Sequence, residues 1–219
     1  MGSHGAAGEG HVLHWARGYD ALVFVLTLGK ERAFRKHLLD LAGVGGGESV
    51  LDVGCGTGTL AVEAKRRAGP GGQAAGIDPA PEMVARARRK AAKAGTDVRF
   101  ETGSVEHLPF TDRSMDVVLS SLMLHHVTDD GRAQGMAEIA RVLKPGGRFL
   151  AVDIGGGEEG KHYRLRLRAG KHAEFDLREL VPQLEGAGLE MVDQGPVGGP
   201  RVLGLPNLRF VLSRTATGS

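Results

Sequence analysis

The stretch VLDVGCGTG at residues 50–58 sets three glycines, at 54, 56 and 58, directly behind a short apolar run. Glycine loses more backbone freedom on folding than any other residue, so such a cluster answers a steric demand. Either the chain turns sharply there or something comes close to its backbone. The preceding run is strand-like, and residues 59–68 carry apolar positions at helical spacing. A strand passing into a helix through a glycine turn is the opening of a βαβ unit.

The rhythm continues along the chain. Strand-like segments at 73–77, 98–102, 115–120 and 148–154 alternate with helix-like ones at 81–94 and 132–143. Such alternation predicts a parallel sheet with helices on both faces. Upstream, Val12, Trp15, Tyr19, Leu22 and Leu26 recur every three or four residues, and 31–42 reads as a second helix. Downstream, a helix at 177–186 precedes strand-like 189–194 and 208–214, which are close enough to form a hairpin. The expected fold is α/β: a doubly wound, Rossmann-like, mostly parallel sheet with an antiparallel C-terminal hairpin at its edge. Residues 1–46 are expected to form a helical cap or lid on the domain of 47–219, with residues 1–4 reading as a cloning remnant.

Composition excludes several classes of function. The chain has 219 residues, 41% hydrophobic and 25% charged, which is ordinary for a globular domain. A formal net charge of +2 gives no general affinity for nucleic acid. The single cysteine, Cys55, permits no internal disulfide and fits a reducing cytoplasm. The apolar run ALVFVLTL at 21–28 is far short of the roughly 20 residues that span a bilayer. No spacing of histidines or acids suggests a metal site.

In a doubly wound sheet, ligands bind beyond the carboxyl ends of the strands, where helix N-termini offer free amides. Asp78, about 20 residues past the glycines at the end of the second strand, is placed to accept hydrogen bonds from a ribose. The glycines follow G-x-G-x-G rather than the dinucleotide form G-x-G-x-x-G, and Thr59 stands where the third glycine of that form would fall. Asp52, just before the turn, would repel a pyrophosphate but can hold an ammonium. A ligand with both ribose and a cationic amino-acid end is S-adenosylmethionine.

Five stretches, VLDVGCGTG (50–58), GIDPAPEMVARAR (76–88), GSVEHLPF (103–110), SMDVVLSSLMLHHV (114–127) and RVLKPGGRFLAVD (141–153), together resemble the class I S-adenosylmethionine-dependent methyltransferases. The likeness is to the branch of the ubiquinone/menaquinone-biosynthesis C-methyltransferases, and WARGYD at 15–20 resembles its lead-in. The resemblance implies that Gly54, Gly56 and Gly58, with Cys55 between them, pass the backbone close to the methionine part of the cofactor. Asp52 would orient its ammonium, and Asp78 would accept the ribose hydroxyls. Pro79 and Met83 would lie near the adenine, bordered by Ser104 and Val105. Ser120 and Ser121 would offer carbonyls to the amino-acid end, and Tyr19 would close over the cofactor. The family often has aspartate at Ser104, and a hydroxyl is the weaker acceptor for an adenine amino group.

Each assignment has a plainer counterpart. Cys55 is a nucleophile or, with no base marked beside it, a small turn residue. Asp78 binds ribose or caps the helix after Pro79. His125 and His126 include a general base or simply finish the fourth strand's loop. The basic face of 86–93 reads as solvated. Arg164, Arg166 and Arg168 alternate with leucines within 161–172, either a contact for an anionic substrate or a membrane surface, or a charged edge strand. The expected function is methyl transfer to a small-molecule acceptor: a quinone precursor, lipid head group or other metabolite. Methylation of protein or RNA, a nicotinamide-dependent oxidoreductase and a silent cofactor-binding module stand as alternatives.

Overall fold

The computed structural model describes residues 31–155, 176–198 and 208–217. The N-terminal segment with Tyr19 and the basic stretch 161–172 lie outside them. Helix α1 (Glu31–Leu41) precedes strand β1 (Ser49–Val53), α2 (Thr59–Ala68), β2 (Gln73–Asp78), α3 (Pro81–Lys93), β3 (Arg99–Thr102) and β4 (Met115–Ser121). A 3-10 turn (Leu124–His126), α4 (Asp129–Val142) and β5 (Leu143–Ile154) follow, and a second 3-10 turn (Leu177–Leu180), α5 (Val181–Gly186), β6 (Leu189–Pro196) and β7 (Leu208–Thr215) complete it.

The seven strands form one sheet in the order β3-β2-β1-β4-β5-β7-β6. β1 to β5 pair in parallel, and β7 runs antiparallel between β5 and β6. The strand order reverses between β1 and β4, so the crevice outside their carboxyl ends is the topological switch point. Val53 pairs with both Ile77 and Ser120, and Ser121 pairs with Val152. These registers bring the ends of β1, β2, β4 and β5 to one edge of the sheet.

Both faces of the central strands β1, β4 and β5 are buried, as near-continuous apolar strands require. Leu51, Val53, Val118, Phe149 and Ala151 share a core with Met136, Ile139 and Val142 of α4. Val50, Val117, Leu119, Leu150 and Val152 face the opposite way, toward Phe34, Leu38 and Leu39 of α1 and Leu60 and Ala64 of α2. The period-two pleat therefore aims Asp52 toward the α1–α2 side and Asp153 toward the α4 side, both at the carboxyl edge. α1 is held by that core, each such buried side chain contributing about 1.5–3 kcal/mol.

Two boundaries differ from the sequence expectation. α4 begins at Asp129 rather than 132, because Thr128 caps it by accepting from the Gly131 amide at 3.2 Å and two aspartates suit its first turn. The KPGG segment does not precede β5 but bulges within it. Leu143 already pairs with Met115, and the ladder resumes at Arg148 opposite Val117.

Candidate active site

The glycine turn leaves β1 and enters α2 through three left-handed residues, with φ of 71° at Gly54, 51° at Gly56 and 79° at Gly58. The Cys55 amide donates to the Ile77 carbonyl at 2.8 Å, pinning the turn to the end of β2. A Cβ at Gly58 would lie 2.7 Å from Phe100 Cζ and 2.8 Å from Ala87 Cβ. Gly58 thus lets β3 and α3 pack onto the start of α2; the close approach it permits is internal. At Gly54 a Cβ would meet Met123, whose own Cβ would be 2.7 Å away. Lys90 Nζ donates to the hydroxyls of Thr57 and Thr59, each at 2.7 Å, bracing the turn from α3.

Asp52 lies beside this turn, 2% exposed, and its Oδ2 has no hydrogen-bond partner. Burial pushes the carboxyl up to about 7, against the opposing pull of the Arg35 charge and the Ala61 amide. A buried acceptor without a partner costs free energy unless a ligand donor meets it. Arg35 comes from α1, is itself buried, and donates from Nη1 to Ser121 Oγ at 3.1 Å. Together Arg35, Asp52, Gly54, Gly56 and Ser121 border one cleft. Sequence reasoning did not find Arg35, which looks like one more basic residue of an amphipathic helix. Its spacing from Phe34 and Leu38 was the only local hint that it faces inward.

Asp78 stands at the end of β2, half-buried. Its Oδ2 accepts from the Gly56 amide at 2.9 Å and its Oδ1 from the Ala80 amide at 3.0 Å. Burial raises its carboxyl above the usual range, and these two amides oppose that rise. The residue at the N-cap of α3 is Ala80, so Asp78 closes a turn before the helix rather than capping it. Met83 and Ala80 form a small apolar cluster next to it, and Pro79 is exposed. Ser104 opens the loop after β3 and bridges to His107. The Val105 side chain turns into the main core, where a Cβ on Gly135 would come within 2.7 Å of it. That leaves the Val105 backbone, not its side chain, as what it can offer a ligand.

Cys55 is buried, and burial together with the charges of Asp52 and Asp78 drives its thiol far above the normal range. It is a thiol held neutral, unsuited to nucleophilic attack. Ser120 is 1% exposed at the end of β4, with an unpartnered hydroxyl. Past it, Leu122 adopts a left-handed φ of 59°, and the chain turns into Leu124–His126. His125 Nδ1 lies 2.7 Å from Oδ1 of Asp153, which is fully buried. His126 is exposed, with its ring centroid 3.9 Å from that of His125. No group of three potential metal ligands occurs among the described residues.

The cleft suits a zwitterion. Asp52 offers an unpartnered carboxylate oxygen to an ammonium, and Arg35 offers a cation to a carboxylate. Asp78 and the Ala80–Met83 cluster, at the end of β2, offer an acceptor for a hydroxyl and an apolar surface. A pyrophosphate would meet the Asp52 charge instead. These residues fit S-adenosylmethionine on the chemistry of their side chains.

Comparison with known proteins agrees. The family model described as "Methyltransferase domain" matches residues 50–147. The chain is similar to a demethylmenaquinone methyltransferase of Thermus thermophilus, 39% identical over 136 residues, covering 62% of this chain and 60% of that one. It is also similar to a ubiquinone/menaquinone biosynthesis C-methyltransferase of Bdellovibrio bacteriovorus, 37% identical over 140 residues, covering 64% of this chain and 58% of that one. The chain thus spans about three fifths of the length of these curated relatives. Among solved structures, a S-adenosylmethionine-dependent methyltransferase from Aquifex aeolicus superposes with a TM-score of 0.71 at 21% identity, covering 90% of this chain and 98% of that one, a likeness of fold. Residues 50–147 of this chain thus match a methyltransferase-domain family model, and the same region is similar in sequence to the ubiquinone/menaquinone C-methyltransferases.

Proposed function

We propose that this protein transfers a methyl group from S-adenosylmethionine to a small molecule, with a quinone precursor in its reduced, hydroquinone form as the acceptor. The observation that carries the reading is the unpartnered carboxylate oxygen of Asp52 at the switch point, in a cleft it shares with Arg35. The names of the curated relatives support the acceptor class.

Bound S-adenosylmethionine supplies an electrophilic methyl group on a sulfonium, so no further activation of the donor is needed. The protein's task is then alignment and exclusion of water. Asp52 and Arg35 fix the amino-acid end at its two opposite charges. Asp78 orients the ribose with whichever lone pairs the Gly56 and Ala80 amides leave open, and Met83 packs against the base. Gly54 and Gly56 keep the turn free of side chains where the ligand lies against it.

Incubation with methyl-labelled S-adenosylmethionine and reduced 2-polyprenyl-1,4-naphthoquinone tests the activity. A product heavier by one labelled methyl group is the expected result. Cofactor binding without transfer to any member of a hydroquinone, phenol and amine panel would reduce the protein to a binding module.

A further inference from the structure

The corner between β4 and α4 contains a pairing that the cofactor cleft does not use. We propose that His125 is the general base that deprotonates the acceptor and that Asp153 is its positioning residue. The proposal rests on the methyl-transfer reading and sharpens it: the acceptor is one that must lose a proton, a phenol, enol or acidic carbon.

Three features of the corner converge on this ring. Asp153 is 0% exposed, and its carboxylate is directed to the His125 residue at both ends: Oδ1 lies 2.7 Å from Nδ1 and Oδ2 accepts the His125 backbone amide at 3.3 Å. A carboxylate only accepts, so in the neutral ring Nδ1 carries the hydrogen and the lone pair sits on Nε2. The turn itself is held from α4, where the buried Arg132 donates to the carbonyls of Leu124 and Val127 that flank the histidines. Leu122, two residues before Leu124, is kept in the left-handed region, with its amide on the Val152 carbonyl at 2.8 Å. Backbone strain of this kind persists where surrounding structure over-determines it, and it clusters at functional sites. Met123, next in the chain, packs against Gly54 of the cofactor turn and so joins this corner to the cleft.

Asp153 and His126 are titratable groups that meet the His125 ring. The His125 side chain retains 16% exposure, enough for a reactant to reach its edge. In the step, Nε2 takes the acceptor's proton and the freed electron pair bonds the methyl carbon. The carbon–sulfur bond breaks with its pair remaining on sulfur, as neutral thioether. Asp153 stabilises the imidazolium so formed, which then releases its proton to solvent.

The test combines two readouts. In the protein alone, nitrogen-15 spectra of the imidazoles should show His125 as the Nδ1–H tautomer, and Asp153→Asn should abolish that preference; an Nε2–H tautomer in the unmodified protein overturns the proposal without any substrate. With the polyprenyl naphthohydroquinone, His125→Gln should lower kcat about 10²–10⁴-fold. Its affinity for S-adenosylmethionine, measured by calorimetry, should stay within twofold. Asp153→Asn should lower kcat while leaving S-adenosylmethionine affinity within twofold, because the ring loses the acceptor that fixes its tautomer. Full activity of His125→Gln overturns the base, whereas failure of the unmodified protein to bind S-adenosylmethionine refutes the underlying reading instead.

Discussion

Asp78 accepts the Gly56 amide at 2.9 Å, so the acid at the end of β2 and the middle glycine of the turn after β1 are one hydrogen-bonded unit. The residue read from sequence as a ribose acceptor is therefore also part of the scaffold that shapes the glycine turn. Loss of its carboxylate has two consequences that can be separated.

Asp78→Ala should weaken S-adenosylmethionine binding at least tenfold and lower stability by about 1–3 kcal/mol, since the Gly56 and Ala80 amides lose their acceptor. Asp78→Asn keeps one acceptor oxygen and should recover more of the stability than of the affinity. Calorimetric titration and urea unfolding, run on both variants, check the split.

The raised carboxyl of Asp52 gives binding a pH signature. An ammonium ligand favours the ionised form, so affinity should rise as pH increases through about 7. It should fall again once the ligand's own amino group deprotonates, near 7.7–8.0. Asp52→Asn should remove the rising limb and weaken binding. For stability the sign is opposite: the folded-state pKa lies above the unfolded value near 3.9, so the folded protein loses on the order of 4 kcal/mol between pH 4 and 7. Asp52→Asn should flatten that part of the curve.

Gly58 and Gly95 both have positive φ, 79° and 62°, but only Gly58 has heavy atoms within the reach of a Cβ. Gly95→Ala should cost about 1 kcal/mol for backbone strain alone. Gly58→Ala should cost a further 1–3 kcal/mol, because Phe100 and Ala87 must move. Equal losses in thermal or denaturant unfolding would refute the packing role given to Gly58.

Arg35→Met should reduce S-adenosylmethionine affinity about 10–100-fold, the range for losing a hydrogen bond to a charged group. Because the Arg35 charge holds the Asp52 carboxyl down, the same substitution should move the rising pH limb of binding to higher pH.

The elements were legible because their signals are local. Short apolar runs, helical spacing at 59–68 and 81–94, and the glycine turn between strand and helix all act over a few residues. The glycine turn, Asp52 and Asp78 were readable for the same reason. What escaped were partners fixed only by the assembled sheet. Gly58 looked like a ligand glycine, yet its neighbours are on α3 and β3. Arg35 finds Ser121 across 86 residues, and His125 finds Asp153 across 28. One signal was available for the second pair. An aspartate ending the apolar run FLAVD, like the one in VLDVG, is a buried charge that needs a partner.

Calorimetric titration of the unmodified protein with S-adenosylmethionine, alongside NAD, tests the central claim most directly. Saturable one-site binding of S-adenosylmethionine, strengthening from pH 6 to 7.5, with no heat from NAD, is the predicted result. Tighter binding of NAD, or no binding of S-adenosylmethionine at any of these pH values, would contradict it.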